Sequence, residues 1–247
     1  MSEHRVFLWW LETGLVETAA WQPLGDLLAQ AERERAGRFH FERDRESYIA
    51  AHALGRVLLS SVAGGDPRSW RFTIHDHGKP ELVSPSGGPR WRLNLSHTRG
   101  LAAAALTPEF DIGVDAECLK RTPNCAALSR RFFAPEEAEF LKSVPADREL
   151  ETFLAFWTLK ESYVKAIGKG LAQPLDSFYF TFDPLRIHFA AADGGDPLDW
   201  QFYRHQPSDA HLLALSLRHR QSQQVAIQTR AVRAQDLLKG QSGSEET

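Results

Sequence analysis

The sequence predicts an α+β fold: two similar α+β subdomains related by a pseudo-twofold, with a functional site in the cleft between them. Three observations carry that expectation. Helical patterning followed by strand patterning runs through the chain twice. Each run opens on a comparable basic and aromatic segment, Arg38-Phe39-His40-Phe41-Glu42-Arg43-Asp44 and then Arg131-Phe132-Phe133-Ala134-Pro135-Glu136-Glu137. The 247 residues suffice for one large or two small domains. The expected division is 1–107, 108–230 and a polar, partly disordered tail over 231–247. Ligand sites favour such interfaces.

In chain order, Val6–Leu11 is a short apolar strand, and Leu24–Arg38 reads as one charged helix. Arg45–Val62 places Tyr48, Ile49, His52, Ala53, Val57 and Leu58 at helical spacing, and Gly64-Gly65-Asp66-Pro67 ends it. Arg71–His75 is a strand, followed by a turn at His77-Gly78-Lys79-Pro80 and a loop over Ser84–Pro89. Leu93–Leu95 and Leu101–Thr107 pair around Thr98-Arg99-Gly100, and Asp111–Cys118 is the next strand. Pro135–Ser143 starts a helix, with Pro135 and two acids in its first turn. Glu149–Ile167 is a long helix that stops at Gly168. Strands are expected at Phe178–Phe182, Arg186–Ala190, Trp200–His205, His211–Arg218 and Val225–Thr229.

Composition narrows the function. At 43% hydrophobic and 25% charged residues this is an ordinary soluble globular chain, and fifteen Phe with seven Trp imply an aromatic core. A net charge of −3 argues against a general nucleic-acid binder. Two cysteines, Cys118 and Cys125, exclude a Cys-type zinc site and a disulfide framework and fit a reducing cytosol. No apolar run reaches membrane-spanning length, and no signal-peptide pattern opens the chain, so the expected location is cytoplasmic.

Two acidic segments carry the chemistry. In Gly113-Val114-Asp115-Ala116-Glu117, Asp115 and Glu117 stand two apart on a strand, so both carboxylates leave one face. Ile112, Val114 and Ala116 line the other face of a half-buried strand. In Phe156-Trp157-Thr158-Leu159-Lys160-Glu161-Ser162-Tyr163-Val164-Lys165, Trp157, Glu161 and Lys165 recur at four-residue steps along one helical stripe. Read alone, Glu161 and Lys165 make a helix-surface ion pair worth about 0.3–0.5 kcal/mol, and Trp157 is core. Read together, three carboxylates and a lysine suit one Mg²⁺ that also binds a substrate phosphate. Gly78-Lys79-Pro80 is a plain turn or a rigid loop presenting Lys79. In Asn94-Leu95-Ser96-His97, Asn94 and Ser96 share a face, and His97, at the turn, is a cap or a donor to phosphate. Arg33, Arg35, Arg38, Arg43 and Arg45 read as a solvated helix face.

The order of these pieces resembles the 4′-phosphopantetheinyl transferases of the single-chain, internally duplicated Sfp type. Gly-Lys-Pro comes first, then Asn-x-Ser-His, Gly-Val-Asp-x-Glu and Trp-x-x-Lys-Glu-Ser-x-x-Lys, in scattered form from Arg33 to Leu175. The resemblance implies transfer of 4′-phosphopantetheine from coenzyme A to a serine of an apo acyl or peptidyl carrier protein, as used in fatty-acid, polyketide or non-ribosomal peptide synthesis. It implies Mg²⁺ on Asp115, Glu117 and Glu161, with Lys165 on the pyrophosphate and the leaving 3′,5′-ADP. Lys79 and Pro80 would line the adenine pocket, Ser96 and His97 would meet phosphates, and Arg35 would bind the 3′-phosphate. Asp115, Glu161 and Lys165 would form the catalytic set, with Glu161 a ligand, a base toward the serine, or both. Arg130 and Arg131 would face an acidic carrier helix. The duplicated architecture suggests a monomer.

The chain departs from the family pattern at Glu32 and Ser47, where basic residues are usual. Two other classes compete. A non-catalytic carrier-binding homologue is disfavoured by the intact acidic set and Lys165. A Mg²⁺-dependent phosphodiesterase or nuclease is disfavoured by the near-neutral charge and the absence of a basic stripe interleaved with aromatics.

Overall fold

The computed structural model describes residues 5–74, 80–83, 90–121, 123–190, 195–219 and 225–239. The chain divides into two compact units that meet in sequence at Glu109 and Phe110, and each is α+β.

In the first unit, β1 (Arg5–Glu12), β4 (Arg92–Thr98) and β5 (Leu101–Thr107) form an antiparallel core on which α3 (Glu42–Ala63) packs. β5 is buried along its whole length, and its four alanines let α3 lie close. Of the residues at helical spacing on α3, Tyr48, Ile49, Ala53 and Leu58 are buried and His52 and Val57 are half-buried; Ala50, Ala51, Leu54 and Leu59 are buried as well, so the covered face is wider than the spacing predicts. The expected Leu24–Arg38 helix is instead two short ones, α1 (Trp21–Asp26) and α2 (Gln30–Ala36). Leu24, Leu27 and Leu28 are all buried, and the break that turns them inward is held by side chains. The Glu32 carboxylate accepts from Ala29 N at 2.9 Å, and Arg33 donates to Leu28 O at 2.6 Å. β2 (Phe72–Ile74) and β3 (Pro80–Leu82) make a small antiparallel pair.

The second unit holds β6 (Asp111–Cys118), α4 (Cys125–Phe132), α5 (Pro135–Ser143), α6 (Glu149–Ile167), β7 (Phe178–Phe182), β8 (Leu185–Phe189), β9 (Trp200–Ser208) and β10 (His211–Arg218). β6, β10 and β9 form an antiparallel sheet in that order, and β7 pairs with β8. The expected aromatic core is here: Phe133 stacks on Phe153 at 5.0 Å, and Phe156 on Phe182 at 4.3 Å. β6 is buried on both faces from Ile112 to Cys118, so it is not the half-buried strand that alternation suggests. α6 covers the face that carries the acids.

The second unit ends at Val225, short of the expected 230. β11 (Ala226–Val232) returns to the first unit and pairs in parallel with β1, giving the sheet order β11-β1-β5-β4. α7 (Ala234–Leu238) follows and buries Leu237, so the stretch expected to be a partly disordered tail is, up to residue 239, strand and helix. Residues 240–247 lie outside the described residues. Among the described residues, no helix is long and apolar enough to cross a membrane.

Candidate active site

A close approach of α6 to β6 builds the acidic cluster. Gly113 sits on the same side of β6 as Asp115 and Glu117. A Cβ there would lie 2.0 Å from the carbonyl oxygen of Ser162 and 2.5 Å from the amide nitrogen of Ala166. No side chain fits between helix and strand at that point. Ser162 Oγ and Ser216 Oγ, 2.7 Å apart and buried, tie the same turn of α6 to β10. Small residues thus set the depth of the helix, and the register of β6 against β10 (Asp115 opposite Ala214, Glu117 opposite Leu212) fixes the strand beneath it.

The exposure of α6 isolates one stripe. From Thr152 to Ala166 every residue is buried except Trp157, Glu161 and Lys165. These are the three at four-residue steps. The Lys165 ammonium leaves its own helix and donates to Asp115 Oδ1 at 2.7 Å and to Val114 O at 3.0 Å. This contact joins the two acidic motifs. Glu117, 8% exposed, is held by Arg121, whose guanidinium donates to Oε2 at 2.5 Å.

The carboxylates repel one another. Burial raises the Glu117 carboxyl above its ordinary range, and the charge of Asp115 adds to that, while Arg121 opposes it. Glu161 is raised by burial first and then by Asp115 and Glu117, with Lys165 acting the other way. Among the described residues, no group of three or more His, Cys, Asp or Glu side chains is already gathered at metal-binding spacing. The three acids share one field, yet Asp115 and Glu117 each face a protein cation.

Of the residues expected on the nucleotide side, Arg35, Pro80, Ser96 and His97 belong to the first unit. Ser96 is buried and His97 exposed, on opposite faces of β4. His97 is in the strand, paired with Ala102, and not in the turn. The reason is the tightness of the hairpin: Gly100 has φ 91°, so Thr98 already pairs with Leu101. Arg35, on α2, places its guanidinium 5.7 Å from the Tyr48 ring centre. Arg33 is bonded to Leu28 O, Arg43 pairs with Asp44, and Arg45 pairs with Glu42. Lys79 lies outside the described residues, and Pro80 opens β3.

Comparison with known proteins settles the family. The profile of the 4′-phosphopantetheinyl transferase superfamily matches residues 111–225, and that of the 4′-phosphopantetheinyl transferase N-terminal domain matches 16–109. The chain is similar to the 4′-phosphopantetheinyl transferase HetI of Nostoc sp., 34% identical over 79% of this chain and 81% of that one. A 4′-phosphopantetheinyl transferase of Bacillus subtilis is 31% identical over 67% of this chain and 71% of its own. The human L-aminoadipate-semialdehyde dehydrogenase-phosphopantetheinyl transferase is 28% identical over 83% of this chain and 72% of its own. The chain belongs to the 4′-phosphopantetheinyl transferases.

In this transferase Glu32 is bound into the fold of its own unit. Glu32 bonds His52 Nδ1 at 2.9 Å and Arg56 Nε at 2.7 Å, and Arg56, 2% exposed, also donates to Pro67 O and Trp70 O. The position serves the fold of the first unit. Two further features of the transferase are absent from the expectations drawn from the sequence. Lys160, beside Glu161 in the motif, is fully buried. Its ammonium spends its three protons on Glu137 Oε2 (2.7 Å), Leu175 O (2.7 Å) and Phe178 O (2.6 Å). Glu137 in turn accepts from Ala134 N and Phe180 N. The pair locks α6 to α5 and β7, and no local sequence signal marks it, because its partners lie on other elements. The other is α4, whose Asn124 cap on Ala127 N is a legible start signal.

Proposed function

We propose that this transferase moves the 4′-phosphopantetheine group of coenzyme A to a serine of an apo carrier protein, releasing 3′,5′-ADP, with Mg²⁺ as cofactor. The observation that carries the reading is the Lys165–Asp115 contact. It brings the two family motifs together beside Glu161 on the one partly exposed stripe of α6.

The donor set fits a hard divalent cation. Asp115, Glu117 and Glu161 supply carboxylate oxygens only, and their mutual repulsion favours a positive charge among them. When bound, the ion would polarise phosphoryl oxygens and offset charge on the leaving group. The remaining work falls to the protein. The serine hydroxyl attacks the β-phosphorus, forming a serine O–P bond and breaking the P–O bond to 3′,5′-ADP. Glu161 takes the hydroxyl proton, directly or through a water. Lys165 stabilises the departing phosphate and supplies its proton. Such transfer is mainly positioning and electrostatics, which suits so few reactive groups.

Arg35, Lys79, Pro80, Ser96 and His97 are assigned to coenzyme A by resemblance. Arg130 and Arg131, both exposed at the end of α4, suit an acidic carrier helix. Cys118 and Cys125 are free and buried, which supports a cytoplasmic setting, and the duplicated α+β plan supports a monomer.

The test is intact-mass measurement of an apo carrier after incubation with enzyme, coenzyme A and Mg²⁺. A gain of one phosphopantetheine group, abolished by EDTA, is expected. An unmodified carrier that still binds would make the chain a non-catalytic binder. Cleaved coenzyme A without adduct would make it a phosphodiesterase.

A further inference from the structure

We infer that Arg121 is an internal counter-ion for the metal site, one that holds Glu117 and must release it before a divalent cation binds. The inference rests on the assignment of Mg²⁺ to Asp115, Glu117 and Glu161.

Three observations support it. Glu117 is buried, the charge of Asp115 acts on it and its own acts on Glu161, so it needs a positive partner. Arg121 meets that need from an exposed position: its side chain is 54% exposed, while that of Glu117 is 10% exposed. The arginine can therefore swing into water at little cost, and the carboxylate cannot follow. The contact is also not a helical pair, although the residues are four apart. β6 ends at Cys118, and Arg121 N closes a turn on Cys118 O at 3.2 Å, which brings the guanidinium back over the strand end. Lys165 is the matching partner of Asp115, but it comes from a largely buried helix, and the proposed reaction gives it a role in the chemistry. Arg121 has the properties of a displaceable ion: charge, reach and exposure.

Arginine and Mg²⁺ then compete for the Glu117 oxygens. Competition lowers metal affinity and keeps the acidic cluster neutralised when the metal leaves. The experiment is calorimetric titration of Mg²⁺ into the full chain, its Arg121→Gln variant, Glu117→Gln, and the double variant. Arg121→Gln should bind Mg²⁺ about fivefold more tightly, the scale of one partly screened ion pair. In the Glu117→Gln background the same substitution should change affinity little, because the contact it removes is already gone. Thermal unfolding gives a second readout. Arg121→Gln should melt below wild type in EDTA, and the gap should close at saturating Mg²⁺. Unchanged affinity overturns the inference. So does an equal gain in both backgrounds, which would be a general field effect. A Mg²⁺ isotherm that Asp115→Ala leaves intact would overturn the triad assignment itself, and the inference with it.

Discussion

Lys165 shows how one side chain serves both stability and chemistry. A plain helix-surface pair with Glu161 is the simple reading of its spacing, yet its ammonium sits on Asp115, which is only 7% exposed. Removing it leaves a buried carboxylate without that partner, so Lys165→Ala should lower both kcat and melting temperature. Lys165→Arg separates the two. It should restore most of the melting temperature but little of the kcat, because a guanidinium does not readily release a proton. Full recovery of kcat in the arginine variant would reduce the role to charge alone. Glu32 gives a pH test in the other unit. Burial would raise its pKa, but the hydrogen bonds from His52 and Arg56 win and bring it down to about 2. A lowered carboxylate contributes stability that is present above its unfolded value near 4.5 and is lost as pH falls through about 2. Glu32→Gln should thus cost about 3 kcal/mol at neutral pH and flatten the acid limb of the stability curve, read by denaturant midpoints across that range. The motif residues were legible in sequence because spacing alone puts them on one face. The partners of Lys165, Glu117 and Glu32 were not, since each lies on another element or across a turn.

At the scale of elements, the site depends on how far α6 sinks onto β6. The helix and the strand could be read from period and caps, but their separation could not. It is set by Gly113 and by a pair of serines whose roles appear only on contact. Gly113→Ala forces backbone against backbone, and neither partner has a flexible end that yields. The variant should lose about 1–3 kcal/mol or more, and it should lose activity beyond what that destabilisation explains, because Lys165 moves off Asp115. A variant with normal turnover would show that the helix depth does not tune the site. The Lys160–Glu137 pair holds the opposite side of α6. Burial pulls the lysine toward its neutral form and pushes the glutamate toward its own, against their mutual attraction. Lys160→Met alone should cost about 3–5 kcal/mol by leaving Glu137 buried without its cation. Adding Glu137→Leu should recover part of that loss. Recovery stays incomplete because Ala134 N and Phe180 N also lose their acceptor. Urea midpoints of the two single variants and the double give the coupling directly. The single helix expected over Leu24–Arg38 failed at this same scale: the charged pattern is continuous, but Glu32 caps a new helix inside it.

At the scale of the whole chain, the doubled succession of helix and strands was legible, and the return of the chain was not. Sequence neighbours are the natural partners of a strand, so Val225–Thr229 reads as the last strand of the second half. Instead β11 completes the first sheet, pairing seven residues with β1 from Arg5–Ala226 to Leu11–Val232. A parallel partner this distant leaves no local trace in composition or period. The consequence is testable by truncation after Val225. That cut keeps Asp115, Glu117, Glu161 and Lys165, every member of the acidic site. It strips the edge of the four-stranded sheet, uncovers the backbone of β1, and withdraws Val232 and Leu237 from the first core. It also removes Arg230, whose guanidinium lies 5.0 Å from the Trp9 ring centre. Amide hydrogen exchange on the truncated chain should show β1 and β5 losing protection while α6 and β10 keep theirs. Leu237→Asp in the untruncated chain should reproduce a milder form of the same pattern, which guards against a truncation that merely aggregates. Undiminished protection in β1 for both variants would mean that the first sheet stands without its last strand.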